Sequence, residues 1–110
     1  MATTVIQIQN YQYYVFSSRD SSSSPSTVVL LYDPSNTLVG SLWFVKEPGA
    51  LPTASQAGNV YLLAYSYADL PVIVDMLRNE TPVYLIVDPA GSVINWRLST
   101  FEEPVGEGEL

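Results

Sequence analysis

The stretch DLPVIVDMLRNETPVYLIVD, residues 69–88, decides the fold class because it joins a helix to a buried strand. Asp69 can cap a helix that begins at Leu70, since a carboxylate accepts hydrogen bonds from the free N–H groups of a first turn. Pro71 fits that turn, where its missing N–H is not needed. Pro82 prevents the helix from continuing. The stretch therefore predicts a short helix that ends before Pro82 and a strand directly after it.

The apolar residues of this helix fall mainly on one side. The residues that follow the helical period are Leu70, Ile73, Val74 and Leu77. Their spacing of i, i+3, i+4 and i+7 predicts one stripe that packs against a sheet. Val72 and Met76 lie off this stripe and are expected to face away from the core. The strand PVYLIVD is apolar on both of its faces, which is typical of a central, covered strand.

Apolar residues that alternate or follow one another predict further strands. In chain order these segments are TTVIQIQ, YQYYVFS, TVVLLYD, TLVGSLWFVK, VYLLAYS and SVINWRLS. The first two are expected to form two strands or one long bent strand. DPSN predicts a hairpin between the third and fourth, and DPAG predicts that SVINWRLS pairs antiparallel with PVYLIVD. Residues 19–26 and 47–59 are predicted loops, because they concentrate serine, proline and glycine.

These elements predict an α+β fold: a mixed, mostly antiparallel β-sheet of five to seven strands with one short helix packed on one face. The order strand, helix, strand in residues 60–88 predicts a right-handed crossover between parallel strands. Residues 1–101 are expected to form a single globular domain, and residues 102–110 an acidic, flexible tail. A helix of ten residues is about 15 Å long. Because it cannot cover such a sheet, the open apolar face must be closed by barrel curvature, by the N-terminal strands or by a second chain, of which a second chain is favoured.

The chain has few charged residues and lacks two residue types altogether. Of its 110 residues 14% are charged and 47% are apolar, and cysteine and histidine are absent. Without cysteine, disulfides, thiolate zinc sites and cysteine nucleophiles are excluded. Without histidine, the commonest general base and the commonest metal ligand are missing. We therefore expect no cofactor, no metal and no enzymatic activity.

The net charge of −7 narrows the possible partners. No cluster of lysine and arginine is present, so direct binding to a nucleic-acid backbone is not expected. The sign of the charge permits a basic protein partner. No segment resembles an export signal, and the longest apolar run, VVLLY, is far shorter than the about 20 residues of a membrane span. We expect no membrane contact and a location in a bacterial cytoplasm.

Three polar residues near predicted strand ends form a candidate pocket mouth: Asp33, Asp88 and Arg97. Asp33 and Asp88 each precede a proline, which is typical of a carboxylate that accepts hydrogen bonds from the backbone of a turn. The alternative is a pair of carboxylates for acid–base or metal chemistry, which requires both turns to lie at one edge of the sheet. This second interpretation predicts a pocket between the helix and the sheet.

Tyrosine is frequent, with eight residues beside two tryptophans. Its ring buries apolar area while its hydroxyl stays hydrated, so tyrosine suits both strands and interfaces. For each tyrosine, the sequence is therefore compatible both with cross-strand packing and with partner binding. The candidate interface consists of Tyr11, Tyr13, Tyr14, Trp43, Tyr61, Tyr65, Val72 and Met76.

The segment LRNETPVYL and the ending EPVGEGE resemble a group of small, uncharacterised bacterial single-domain proteins. In that group a helix that ends in a similar LRNE leads into a strand, and a similar acidic tail follows. The resemblance covers the C-terminal third of the chain and implies a bacterial origin and a single-domain fold. It implies no activity and no site residues.

Two classes of function follow. The first is a non-enzymatic protein-interaction module, a small acidic adaptor or inhibitor that self-associates as a homodimer through apolar and aromatic sheet surface. The second is a small-molecule-binding or weakly catalytic domain with its pocket between helix and sheet. A flat aromatic sheet face would favour the first class, and convergent polar groups in a pocket would favour the second.

Overall fold

The computed structural model describes residues 3–17, 24–46, 51, 54–88 and 95–100. Within these ranges the chain forms eight strands, one α-helix and one short 3₁₀ turn. In chain order the elements are β1 (Thr4–Ile8), β2 (Asn10–Val15), β3 (Thr27–Tyr32), β4 (Leu38–Val45), β5 (Ser55–Ala57), β6 (Val60–Ser66), α1 (Leu70–Asn79), β7 (Val83–Asp88) and β8 (Asn95–Thr100). The predicted tail, residues 102–110, lies outside the described residues.

The strands form two sheets rather than the single sheet that the sequence predicted. A three-stranded sheet has the order β1-β7-β8, and a five-stranded sheet has the order β2-β3-β4-β6-β5. Neighbouring strands are antiparallel, except that β4 and β6 are parallel. The fold is therefore α+β, with mostly antiparallel strands and one short helix, as predicted.

A β-bulge lets the N-terminal strand take part in both sheets. Only Gln9 separates β1 from β2, and its N–H donates to the carbonyl of Tyr32 at 2.8 Å, while Asn10 also lies opposite Tyr32. Where two residues of one strand lie opposite a single residue of the next, the strand bends and its side chains shift by one position. The shift is visible at the core, which Ile8 faces from β1 and Tyr11 faces from β2. The residues that face the core are therefore even-numbered in β1 and odd-numbered in β2.

β3 and β4 form the hairpin that DPSN predicted. The Asp33 carboxylate accepts hydrogen bonds from the backbone N–H groups of Ser35 and Thr37, at 3.0 and 2.9 Å. Asn36 has a φ of 63°, a conformation that asparagine adopts more readily than most residues. Asp33 therefore acts as a turn residue, in agreement with the first of its two interpretations.

The prediction of a parallel pair around the helix is wrong. β6 and β7, which α1 connects, lie in different sheets, and the parallel pair is β4 with β6. The connection between β4 and β6 contains β5, which was predicted as loop and which turns into β6 at Gly58, with a φ of 62°. Apolar patterns show that a strand is buried, but they do not show which strand it pairs with.

The two sheets share one core. Its buried members come from both sheets and from α1: Ile8, Val29, Leu31, Val39, Leu42, Phe44, Leu63, Ile73, Leu85, Val87 and Leu98. At Gly40 of β4, an added Cβ would lie 3.0 Å from Leu31 Cδ1 and 3.3 Å from Leu85 Cδ2. Because Leu31 and Leu85 belong to different sheets, Gly40 marks a point at which the sheets touch. Each sheet thus covers the inner face of the other, so the chain itself, and not the second chain that was expected, closes these faces. The outer faces and the strand edges are left to a second chain.

Helix α1 begins at Leu70 as predicted, but the side chain of Asp69 does not cap it. A 3₁₀ turn over Tyr67–Asp69 precedes the helix. At the start of that turn, Ser66 Oγ accepts a hydrogen bond from the N–H of Ala68 at 3.3 Å. The side-chain cap is therefore displaced by one turn toward the N-terminus.

The apolar stripe of α1 packs against the core. Ile73 is buried, and Leu70 and Leu77 are partly buried against it. Met76 also packs there, so the expectation that it faces away from the core is wrong. It follows Ile73 by three residues, a spacing that places side chains on the same side of a helix. Val72 does face away, with 65% of its surface exposed.

We expect Leu77→Ala to lower the free energy of unfolding by about 2 kcal/mol, because a partly buried leucine loses apolar contacts and leaves a cavity. Val72→Ala, on the same helix, is the matched control. Its effect should stay within about 0.5 kcal/mol, as is usual for surface substitutions. Urea denaturation of both variants at one protein concentration measures the difference. Equal losses would contradict the packing of α1.

Candidate interaction surface

The five-stranded sheet has no charged residue in any of its strands. The charged residues that the structure describes lie in turns, in and around α1, and in β7 and β8: Asp33, Lys46, Asp69, Asp75, Arg78, Glu80, Asp88 and Arg97. About a quarter of the residues of a typical globular domain are charged, and most of these lie at the surface. A sheet with one face outside is therefore expected to carry charges on that face, and this sheet carries none.

The register of the strands defines the outer face of this sheet. One row across it consists of Tyr14, Val28, Trp43 and Ala64. The next row consists of Gln12, Leu30, Ser41 and Leu62. Residues directly opposite each other on neighbouring strands point to the same side. We use the name "outer face" for these eight residues, whose only polar side-chain groups are the tyrosine hydroxyl, the indole N–H of Trp43, one amide and one serine hydroxyl.

Aromatic side chains are accessible at one side of the outer face. Tyr14 is 43% exposed, and the neighbouring Phe16 is 46% exposed. Their rings meet edge to face with centroids 6.4 Å apart. Val28 is buried between Tyr14 and Trp43 in the same row, and Trp43 is half-buried. This part of the sheet therefore presents an aromatic patch to the outside.

Four residues of the candidate interface pack against the core: Tyr11, Tyr61, Tyr65 and Met76. The Tyr61 ring meets Trp96 edge to face at a centroid distance of 5.4 Å, and the Tyr65 ring stacks on Phe44 at 5.6 Å. Burial raises the pKa of the Tyr65 hydroxyl, and the Asp69 carboxylate raises it further. The structure thus divides the candidate set between core and surface.

The accessible aromatic surface continues along β2, at the edge of the sheet. Four consecutive apolar side chains are exposed there: Tyr13 51%, Tyr14 43%, Val15 69% and Phe16 46%. Within the described residues, β3 is the only strand that pairs with β2. The sequence prediction missed Val15 and Phe16, because it selected residues of this stretch by type and included only the tyrosines.

Val72 lies elsewhere, at an open depression beside α1. The depression has a volume of about 240 Å³ and is lined by Val72, Asp75, Met76, Glu80 and Thr100. The Asp75 carboxylate accepts a hydrogen bond from Asn79 Nδ2 at 2.6 Å. Pockets for small molecules usually have about 300–1,000 Å³ and are enclosed. The depression therefore has an acidic rim but little room to surround a ligand.

The predicted pocket mouth is divided between the two ends of β1. Asp33 lies in the turn beside the end of β1, whereas Asp88 lies where β7 pairs with the start of β1. Five residues of extended strand span about 16 Å. Arg97 is two positions beyond the residue opposite Asp88 in the β7–β8 pair. The structure therefore brings Asp88 and Arg97 near each other and places Asp33 apart from both.

In the described part of the chain, no three histidine, cysteine, aspartate or glutamate side chains lie close enough together to hold a metal ion. The sequence offers no histidine or cysteine as a ligand. The helical segments within the described ranges include none that is both long and apolar enough to cross a membrane.

A scan against protein-family models and searches of curated proteins and of solved structures found no match. The resemblance to small bacterial proteins, and the bacterial origin that it implies, therefore stay predictions. The function has to be inferred from the geometry of the chain itself.

Proposed function

We propose that this protein is a non-enzymatic protein-interaction module that self-associates as a homodimer through the apolar and aromatic surface of its five-stranded sheet. Its role would be that of a small acidic adaptor or inhibitor in a bacterial cytoplasm. The observation that carries the proposal is the absence of charged residues from all five strands. The centres of protein interfaces are depleted of charge and enriched in aromatic residues. Tyr14, Phe16 and Trp43 meet that description.

The distribution of charge favours contact at this face over the others. Each copy has a net charge of −7, so two copies repel each other. Contact near α1 would bring together the carboxylates of Asp69, Asp75 and Glu80, whereas the outer face brings no like charges together. The remaining repulsion acts at longer range and is screened by salt. Dimerisation is therefore expected to strengthen as the ionic strength rises.

A small-molecule-binding or weakly catalytic domain is the second candidate function. It is supported by the depression beside α1, where the carboxylates of Asp75 and Glu80 and the hydroxyl of Thr100 lie near apolar side chains. It is weakened by the separate position of Asp33 and by the small, open shape of the depression. A basic protein partner is compatible with the same acidic rim.

Sedimentation velocity at about 1–100 µM tests the proposal, since a concentration-dependent dimer is expected. Tyr14→Glu should weaken the dimer at least tenfold, because it places a negative charge from each copy in an apolar contact. Tyr14→Gln, which adds no charge, should weaken it less. Val72→Glu adds the same charge at an exposed helix position and should leave the outer-face contact intact.

Circular dichroism melts of each variant show whether it is folded. A wild-type mass of about 12 kDa throughout the concentration range would overturn the proposed self-association. Equal weakening by Tyr14→Glu and Val72→Glu would show that net charge, and not the outer face, controls assembly.

A further inference from the structure

The free edge of β2 exposes backbone groups as well as side chains. Phe16 N–H donates to the carbonyl of Ser26 at 2.9 Å, in the same register as the β2–β3 pairs. Hydrogen-bonded pairs alternate along an antiparallel ladder, so the even-numbered residues of β2 bond to β3. The N–H and C=O groups of Tyr11, Tyr13 and Val15 therefore point away from β3. Within the described residues, no strand lies on that side.

β2 lacks the features that protect an edge strand. Proteins usually guard such edges with lysine, proline, an inward charge or a bulge, because unpaired backbone groups recruit other strands. The segment NYQYYVF, residues 10–16, contains no charged residue, no proline and no glycine. Its bulge lies at the start of this segment, at Gln9 and Asn10, and leaves the rest of the edge regular. The exposed run from Tyr13 to Phe16 therefore adjoins an edge that is open to pairing.

We propose that β2 of one copy pairs antiparallel with β2 of a second copy, which makes one ten-stranded sheet of the two five-stranded sheets. This inference rests on the proposed self-association and centres it on the β2 edge, where the outer faces of the two copies lie side by side. A two-fold axis at Tyr13 centres the contact on residues 10–16. Tyr13 of one copy then lies opposite Tyr13 of the other. In the same way Tyr11 lies opposite Val15, and Gln12 lies opposite Tyr14. Two-fold symmetry closes the assembly at two chains, since each copy uses its β2 edge once.

A second copy fits this edge in both charge and area. Every cross-strand pair in the contact is uncharged, and aromatic and β-branched pairs stabilise sheets. Half-exposed aromatic side chains offer about 100 Å² each. The exposed run from Tyr13 to Phe16 would thus bury about 800 Å² when the two copies are counted together. A small specific interface buries about 1,200 Å². The paired backbones and the adjoining outer faces supply the rest, so a micromolar rather than a nanomolar dimer is expected.

The first test compares Tyr13→Pro with Tyr13→Ala by sedimentation velocity. Both variants lose the ring, but only proline removes the outward N–H, and proline is tolerated at an edge whose N–H groups face solvent. Tyr13→Pro should dimerise at least tenfold more weakly than Tyr13→Ala. If wild type dimerises and the two variants dimerise equally, the β2 pairing is overturned while the proposed function stands. A monomeric wild type overturns both.

The second test does not depend on whether the proline variant folds. The chain has no cysteine, so Tyr13→Cys carries a single thiol. Hydrogen-bonded residues opposite each other have Cα atoms about 5.5 Å apart, which suits a disulfide. Under mild oxidation Tyr13→Cys should form a covalent dimer at least tenfold faster than Val72→Cys, an exposed control outside the contact. Equal rates of cross-linking in the two variants, with a dimeric wild type, would contradict the pairing.

Discussion

Phe44→Ala is expected to lower the free energy of unfolding by about 3–5 kcal/mol, the range for a fully buried aromatic side chain. Phe44 is 0% exposed, and its ring stacks on Tyr65 with centroids 5.6 Å apart. Removing the ring loses its transfer free energy and leaves a cavity between the sheets. The backbone of Phe44, whose carbonyl accepts from Ser26, is unchanged by the substitution. Urea denaturation at a concentration where the protein is monomeric measures the effect.

Phe44→Leu is the control, because it keeps much of the apolar volume. Its loss should be clearly smaller than that of Phe44→Ala, since substitutions that keep volume cost less. Losses below about 1 kcal/mol for both variants would show that Phe44 is not at the centre of the core.

Gly40→Val is expected to destabilise the fold by about 1–3 kcal/mol, because added methyl groups overpack a filled core. Even a single Cβ would lie 3.0 Å from Leu31 Cδ1 and 3.3 Å from Leu85 Cδ2. The loss comes from pushing the sheets apart, so shortening a neighbour should recover part of it. A double-mutant cycle of Gly40→Val with Leu85→Ala, measured by urea denaturation, should show a favourable coupling. Strict additivity would indicate that the two positions do not touch.

Local structure in this chain follows from local sequence. Asp33 and Asn36 produce the β3–β4 hairpin at the predicted place, and Pro71 and Pro82 confine α1 to the predicted residues. In each case a side chain or a missing N–H acts on backbone within a few residues. Such effects do not depend on the rest of the fold, and they were therefore predictable.

Pairing between distant segments could not be predicted in the same way. The apolar faces of β6 and β7 are equally compatible with two arrangements. The two strands can be neighbours in one sheet, or they can belong to two different sheets. The bulge at Gln9 decides this arrangement, because it turns the N-terminal strand from one sheet into the other. An alternating pattern interrupted at one residue signals a bend, but not its direction.

The candidate surface was predictable in part. Tyr13, Tyr14 and Trp43 were identified by residue type, whereas Tyr61 and Tyr65 carry the same side chain and pack inward. Residue type alone does not separate the two groups, because tyrosine suits both environments. The absence of charge from five successive strands is a signal that the sequence does contain. It becomes informative only once these strands are known to form one sheet.

The pairing of β1 with β7 also has a consequence for synthesis on the ribosome. Thr4 lies opposite Val87, so β1 leaves the ribosome about 80 residues before the strand with which it pairs. At roughly 5–20 residues per second, that delay lasts several seconds. Meanwhile β2 can pair with β3, and its unguarded aromatic edge is already exposed. Nascent chains on neighbouring ribosomes would meet through that edge, so this protein is a candidate for assembly, or for aggregation, before its folding is complete.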